Sequence, residues 1–172
     1  MQYLFKVSSH SAPRWRLVAL DGAYTLAEAG ELIAAAFAYV PGPRSFVHQG
    51  KHYAAGNSGK EDSVQAQMPL DGLHLQAGDS LTFQSGAQGF FHQVEVMRAE
   101  EHLYCLMPSC LVGAGLVPED IAGDEAALAA YADTDEAESL DLRECTKRMR
   151  NYMMNKRHQG STPALQVPFA SV

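Results

Sequence analysis

The chain has 172 residues, 47% of them hydrophobic, with three cysteines and a formal net charge of −7. That length allows one sizeable core, and the acidic balance opposes contact with a phosphate backbone unless the cations gather on one face. No run of about eighteen apolar residues offers a membrane span. The opening Met1-Gln2-Tyr3-Leu4-Phe5-Lys6-Val7 lacks the charged and apolar regions of a signal peptide, and Cys105, Cys110 and Cys145 form an odd set. The expectation is a cytoplasmic protein with reduced thiols and no membrane partner.

Tyr3 to Val7 alternates as a strand with Tyr3, Phe5 and Val7 on one side, and Arg14 to Leu20 reads as the returning strand of a hairpin. Trp15, Leu17 and Ala19 share a face of that second strand, which predicts a core tryptophan. Thr25 with Glu28 three residues on has the form of a capping box, and Leu26, Ala29, Ile33, Ala36 and Phe37 recur at helical spacing, so a helix is predicted over Leu26 to Ala38. Pro41-Gly42-Pro43 ends it. Further strands are predicted at Ser45 to Gln49, His52 to Ala55, Ser63 to Met68, Ser80 to Gln84 and Phe91 to Arg98, the last with His92, Val94 and Val96 on one face. Met107 to Gly123 carries two prolines and three glycines, breaks both hydrophobic periods and reads as a shaped loop. Asp124 to Ala132 predicts a short helix. Glu136 to Arg157 predicts a longer one with Leu142, Cys145, Met149, Tyr152 and Met153 on its apolar stripe. The tail after Gly160 has no period.

These elements imply an α+β fold: a mixed β-sheet roll, β-grasp-like with a ββαβ order, packed on one main helix and followed by C-terminal helices. Residues 1–132 read as the domain, and 133–172 as an amphipathic helix and irregular tail packed on it or extending from it.

No catalytic set is assigned. Candidates are Glu119 and Asp120, an adjacent acid pair after Pro118 that could serve a metal or act as acid and base, with His92 as the nearby imidazole. The preferred reading is structural, with Pro118 in a first helical turn and the acids beside its exposed amides. His102, Cys105 and Cys110 offer nitrogen and sulfur at near-zinc spacing but match no paired Cys-x-x-Cys knuckle, so no metal and no cofactor is expected. Lys147, Arg148, Arg150, Lys156 and Arg157 form the basic concentration, a candidate nucleic-acid face; cations late in a helix also match its dipole. Arg14, Arg16 and Arg44 would add to such a face if they lie on the surface.

Pro13-Arg14-Trp15-Arg16, Thr25-Leu26, His92 and above all Pro108-x-Cys110-Leu111-x-Gly113 followed by Pro118-Glu119-Asp120-x-x-Gly123 and Tyr131 make the chain similar to the plasmid pRiA4b ORF-3-like family. Its members are often labelled as passenger or TnpR-like proteins of insertion elements. The resemblance covers about Tyr3 to Tyr131 and implies an α+β, β-grasp-like domain with no established activity. This chain departs from the family pattern at Ser85-Gly86-Ala87-Gln88, where an acidic segment is usual, and at Phe90, where tryptophan is usual. Val117 and Ile121 replace cysteines, and Arg44 replaces a histidine. An eroded acidic loop favours a non-catalytic binding module, with a protein as the possible partner. The alternatives are a metal-assisted hydrolase using Glu119, Asp120 and His92, or a nucleic-acid-binding accessory protein using the late basic helix.

Overall fold

The computed structural model describes residues 1–55, 65–86, 90–133 and 139–161. Among these, the strands are β1 Gln2–Ser9, β2 Trp15–Asp21, β3 Arg44–His48, β4 Lys51–Ala55, β5 Ser80–Ser85, β6 Phe90–Glu100 and β7 Ser109–Ala114. The helices are α1 Leu26–Phe37, α2 Glu125–Ala132 and α3 Leu142–Ser161. One sheet runs β4-β3-β5-β6-β1-β2-β7. Every pairing in it is antiparallel, which corrects the mixed sheet expected from the sequence. The physical reason lies in the crossover: α1 carries the chain from β2 to β3 across one sheet face, but β1, β6 and β5 lie between those two strands, so the crossover creates no parallel neighbours.

Helix α1 begins where the sequence says it should. The Thr25 side chain accepts from the Glu28 amide at 3.1 Å, and Glu28 reaches back to the Thr25 amide, closing the capping box. Its inward residues Leu26, Ala29, Leu32, Ile33 and Phe37 are buried against Tyr3, Phe5, Phe46, Phe83 and Val94 of the sheet. Gly30 is the point of closest approach, since a Cβ there would lie 3.3 Å from the Cβ atoms of both Ala55 and Arg44. Helix α3 packs across α1 and β7, placing Cys145, Met149 and Met153 in the same core.

Two expectations fail at β2 and β7. Register opposes Tyr3 to Leu20, Phe5 to Val18 and Val7 to Arg16, and directly opposed residues share a face. Arg16, Val18 and Leu20 therefore point inward with Tyr3, Phe5 and Val7, while Trp15 sits half-buried on the other face under the Lys6 ammonium. The predicted loop from Met107 also contains a strand, because Ser109 to Ala114 pairs with β2 from Ala19 to Trp15. Residues 63 and 64 of the strand expected over Ser63–Met68 lie outside the described residues, and residues 65–67 form a turn. Residues 134–138 and 162–172 lie outside them too. Among the described residues, no helix is long and apolar enough to cross a membrane.

Inward-facing Arg16 is fully buried. Its Nε donates to Ala36 O at 3.0 Å, Nη1 to Trp15 O at 3.0 Å and Ala114 O at 2.7 Å, and Nη2 to Gly115 O at 2.8 Å. The plane of the guanidinium lies over Phe37, 4.5 Å from the ring centroid. An Arg16→Met substitution keeps the bulk but removes every donor, and is expected to cost about 3 kcal/mol or more in urea unfolding. An unchanged unfolding midpoint would show that these carbonyls find other partners.

Candidate functional site

The site begins where α1 ends. Ala38 adopts a left-handed conformation (φ 63°) and its amide returns to Ala34 and Ala35, so the chain leaves the helix sharply and turns Tyr39 inward. Val40 to Pro43 then bridge to β3. A hollow of about 360 Å³ forms between this turn, the end of β5, the start of β6 and the Ala122-Gly123 backbone. Val40, Pro41, Pro43, Phe90 and Ala122 give it apolar walls, and Tyr39, Arg44 and Ser85 give it polar ones.

Behind the wall, Tyr39 belongs to a hydrogen-bond chain with a fixed direction. Phe90 O beside His92 Nδ1 can only accept, so in the neutral ring Nε2 is the acceptor; the Tyr39 hydroxyl gives its proton to Nε2 at 2.7 Å and itself accepts from Arg14 Nε at 3.2 Å. His92 is thus the Nδ1–H tautomer, with Nδ1 donating to Phe90 O at 3.0 Å. Both groups are neutral. Burial, and then the nearby Arg14 charge, lower the His92 pKa to about 4. Burial raises that of Tyr39 to about 12, against the pull of Arg14. The rings of Phe37 and Phe90 pack on Tyr39 at centroid distances of 5.0 and 4.9 Å.

The far end of the chain is anionic. Arg14 Nη2 donates to both Glu125 carboxylate oxygens at 2.9 Å and to Ser9 Oγ at 3.1 Å, and Ser11 Oγ also donates to Glu125. Glu125 opens α2, whose N-cap Asp124 accepts from the Ala127 amide at 3.0 Å. Arg14 therefore ties the β1–β2 turn to the segment that supplies Ala122 and Gly123 to the hollow. Arg44, on its opposite side, donates from Nη2 to Val40 O at 2.8 Å and lies 3.6 Å from Glu31, while its Nε has no hydrogen-bond partner. Burial lowers the Arg44 pKa and the Glu31 charge supports it.

The structure places the predicted residues as follows. His92 is sealed beneath Tyr39 and reaches no solvent. Glu119 and Asp120 are exposed on a single short turn, Glu119–Ile121, where Pro118 takes the N-cap position and neither acid caps an amide. The acids and the imidazole are not brought to one surface. His102 and Cys105 line a separate shallow hollow with Gln2 and Tyr104, whereas Cys110 is buried against α3. Among the described residues, no three His, Cys, Asp or Glu side chains come together as a ligand set.

Arg148 donates to Ala35 O at 2.8 Å and Ala36 O at 3.2 Å, and Arg150 to Pro108 O at 3.2 Å and Ser109 Oγ at 3.0 Å. Lys156 pairs with Glu28 at 3.5 Å and Lys147 with Glu144 at 4.0 Å, while Arg157 is exposed. Arg14, Arg16 and Arg44 are buried and add nothing to a basic face. Sequence reasoning missed the Arg14–Glu125 pair and Tyr39. The available signal was Arg14 and Arg16 two residues apart in a strand, hence on one face.

No known protein-family profile matches the chain, and no curated protein matches its sequence. Among solved structures it is similar to a protein of unknown function, MM3350 from Methanosarcina mazei Go1, at a TM-score of 0.60 and 15% identity, over 83% of this chain and 95% of that one. The likeness is one of fold.

Because the folded state lowers the His92 pKa from 6.5 to about 4, the unfolded chain binds the extra proton between those values and stability must fall on acidification. Between pH 6.5 and 5 the expected loss is about 2 kcal/mol. Urea unfolding across that window should show it, and His92→Gln should flatten the slope. The same slope in both proteins would contradict the neutral, buried assignment.

Proposed function

We propose that this chain is a non-catalytic binding module of the plasmid pRiA4b ORF-3-like kind, whose ligand site is the hollow between the Tyr39–Arg44 turn and Ala122-Gly123. The observation that carries this is the hollow itself: its volume of about 360 Å³ suits a small ligand or one side chain, and its walls are apolar apart from a few fixed polar groups. Arg44 supplies the charge. Its Nη1 lies beside the Gly42 wall of the hollow, 3.5 Å from where a Cβ on that glycine would stand. A ligand with an apolar body and a carboxylate head matches this combination.

The absence of proton-transfer chemistry at the wall supports binding over catalysis. A general acid or base works best with a pKa near the operating pH. Burial pushes Tyr39 up to about 12 and His92 down to about 4, and His92 lies behind Tyr39, to which it is hydrogen-bonded. Ser85 has no imidazole or carboxylate beside it among the lining residues. The hydrolase alternative would need Glu119, Asp120 and His92 to converge, and His92 is sealed while the acids are exposed. The nucleic-acid alternative would draw on cations of which four already hold intramolecular partners. The α1 crossover and the strand-strand-helix-strand start support the β-grasp-like reading, and the antiparallel pairing throughout is where it departs.

The test is a fluorescence titration with 2-naphthoate and its neutral analogue 2-naphthamide. The carboxylate should bind about tenfold more tightly than the amide, the ratio expected of one charge-assisted hydrogen bond. Gly42→Leu, which puts a side chain on the wall beside Arg44 and Gly86, should remove binding of both. Equal affinity for the two probes, or binding unchanged in Gly42→Leu, would refute the site.

A further inference from the structure

A groove of about 510 Å³ lies where α3 meets β7, away from the Tyr39 hollow. Its charge runs against that of the chain. The formal net charge is −7, yet the groove is lined by Arg143, Lys147 and Arg150 and by no Asp or Glu. Residues three and four apart share a helix face, so these cations form a row about 5–6 Å apart. Leu142 and Met154 stand at the two ends of the lining stretch, and buried Cys110 backs it on the strand side. The walls are held in place before any ligand arrives: Thr146 Oγ1 accepts from the Cys110 amide at 3.0 Å and donates to the Cys110 carbonyl at 3.3 Å, which fixes helix against strand.

The cations are only partly committed within the chain. Arg150 uses Nε and Nη2 on Pro108 O and Ser109 Oγ, and its Nη1 takes part in neither bond. Lys147 meets Glu144 at 4.0 Å with both side chains more than half exposed, a pair that contributes little. Among the described residues, the exposed Arg143 guanidinium joins no ion pair. From Leu142 to Met154 the helix rises about 18 Å. An extended peptide covers that length in about five residues, and its alternate side chains, about 7 Å apart on one side, nearly match the row of cations.

We propose that this groove docks an acidic linear peptide of a partner protein, with carboxylates at alternate positions meeting Arg143, Lys147 and Arg150 and apolar side chains between them covering the apolar part of the lining. The mixed lining favours a peptide over a nucleic-acid backbone, which would bring phosphates to the cations but nothing apolar for Leu142 and Met154.

The test is fluorescence anisotropy on the intact chain with three labelled, end-capped peptides: Glu-Leu-Glu-Leu-Glu, its neutral counterpart Gln-Leu-Gln-Leu-Gln, and Glu-Ser-Glu-Ser-Glu. At low salt the first should bind about tenfold more tightly than the glutamine peptide, the ratio expected of three exposed ion pairs. It should also bind more tightly than the serine peptide, which keeps the charge and lacks the apolar side chains. Arg143→Glu combined with Lys147→Glu, both at exposed positions, should remove the preference for glutamate, while Gly42→Leu, aimed at the other hollow, should leave it intact. Equal binding of the glutamate and glutamine peptides by the wild-type chain would overturn the proposal, and that comparison needs no variant. So would tighter binding of an oligothymidylate of equal charge, or a dimer in sedimentation that Arg143→Glu dissolves, since either would give the groove to a different occupant.

Discussion

A guanidinium in the core with no acid among its hydrogen-bond partners is the constraint on which the rest of this structure depends. Arg16 cannot shed its charge, and its solvation shell is built from the carbonyls of Trp15, Ala36, Ala114 and Gly115. Those groups belong to β2, the last turn of α1 and the end of β7. A helix ends with unsatisfied carbonyls and a partial negative charge, so the same contact satisfies helix and cation at once. Arg148 approaches the same turn from α3 and takes Ala35 O and Ala36 O. Three elements distant in sequence are thereby fixed around one helix end.

The hollow follows from that fixation. With the end of α1 held, the left-handed Ala38 sends Tyr39 down between Phe37 and Phe90, where Arg14 and His92 determine the direction of its hydroxyl. Buried polar chains of this kind are costly unless every member is satisfied, and their benefit is a single geometry more than added stability. Arg14 then draws Glu125 and the start of α2 over the β1–β2 turn, which closes the other wall. Arg16 on β2 and Arg14 just before it thus have separate tasks, one holding the helix end and the other the start of α2.

Helix α3 resembles a solvated basic helix in its sequence but behaves as part of the core. Its apolar stripe is buried, and Arg148 and Arg150 point toward carbonyls at α1 and at the entry to β7. Between its two carbonyl contacts Arg148 also donates to Cys145 Sγ, at 3.4 Å.

Much of the fold was legible in the sequence. The Tyr3-Phe5-Val7 alternation, the Thr25–Glu28 capping box, the Leu26 to Phe37 period and the Cys145-Met149-Met153 stripe are local patterns whose periods match the element they form, and all appear where they were read. What failed was decided by partners. The face of β2 was assigned by hydrophobicity, which favours Trp15 over Arg16, whereas the register with β1 turns Arg16 inward and carbonyls far along the chain make that tolerable. Ser109 to Ala114 has no strand period because α3 covers its start and β2 supplies its hydrogen bonds. The site was invisible for the same reason: Arg14, Tyr39, His92 and Glu125 are spread over more than a hundred residues, and no spacing rule links them. The sequence by itself determined where α1 begins and where the first hairpin lies, because caps and periods act within a few residues, whereas α3, expected from Glu136, begins at Leu142. Only the tertiary structure decided which charges are buried, since a buried charge is stable only where distant backbone or side chains converge to solvate it.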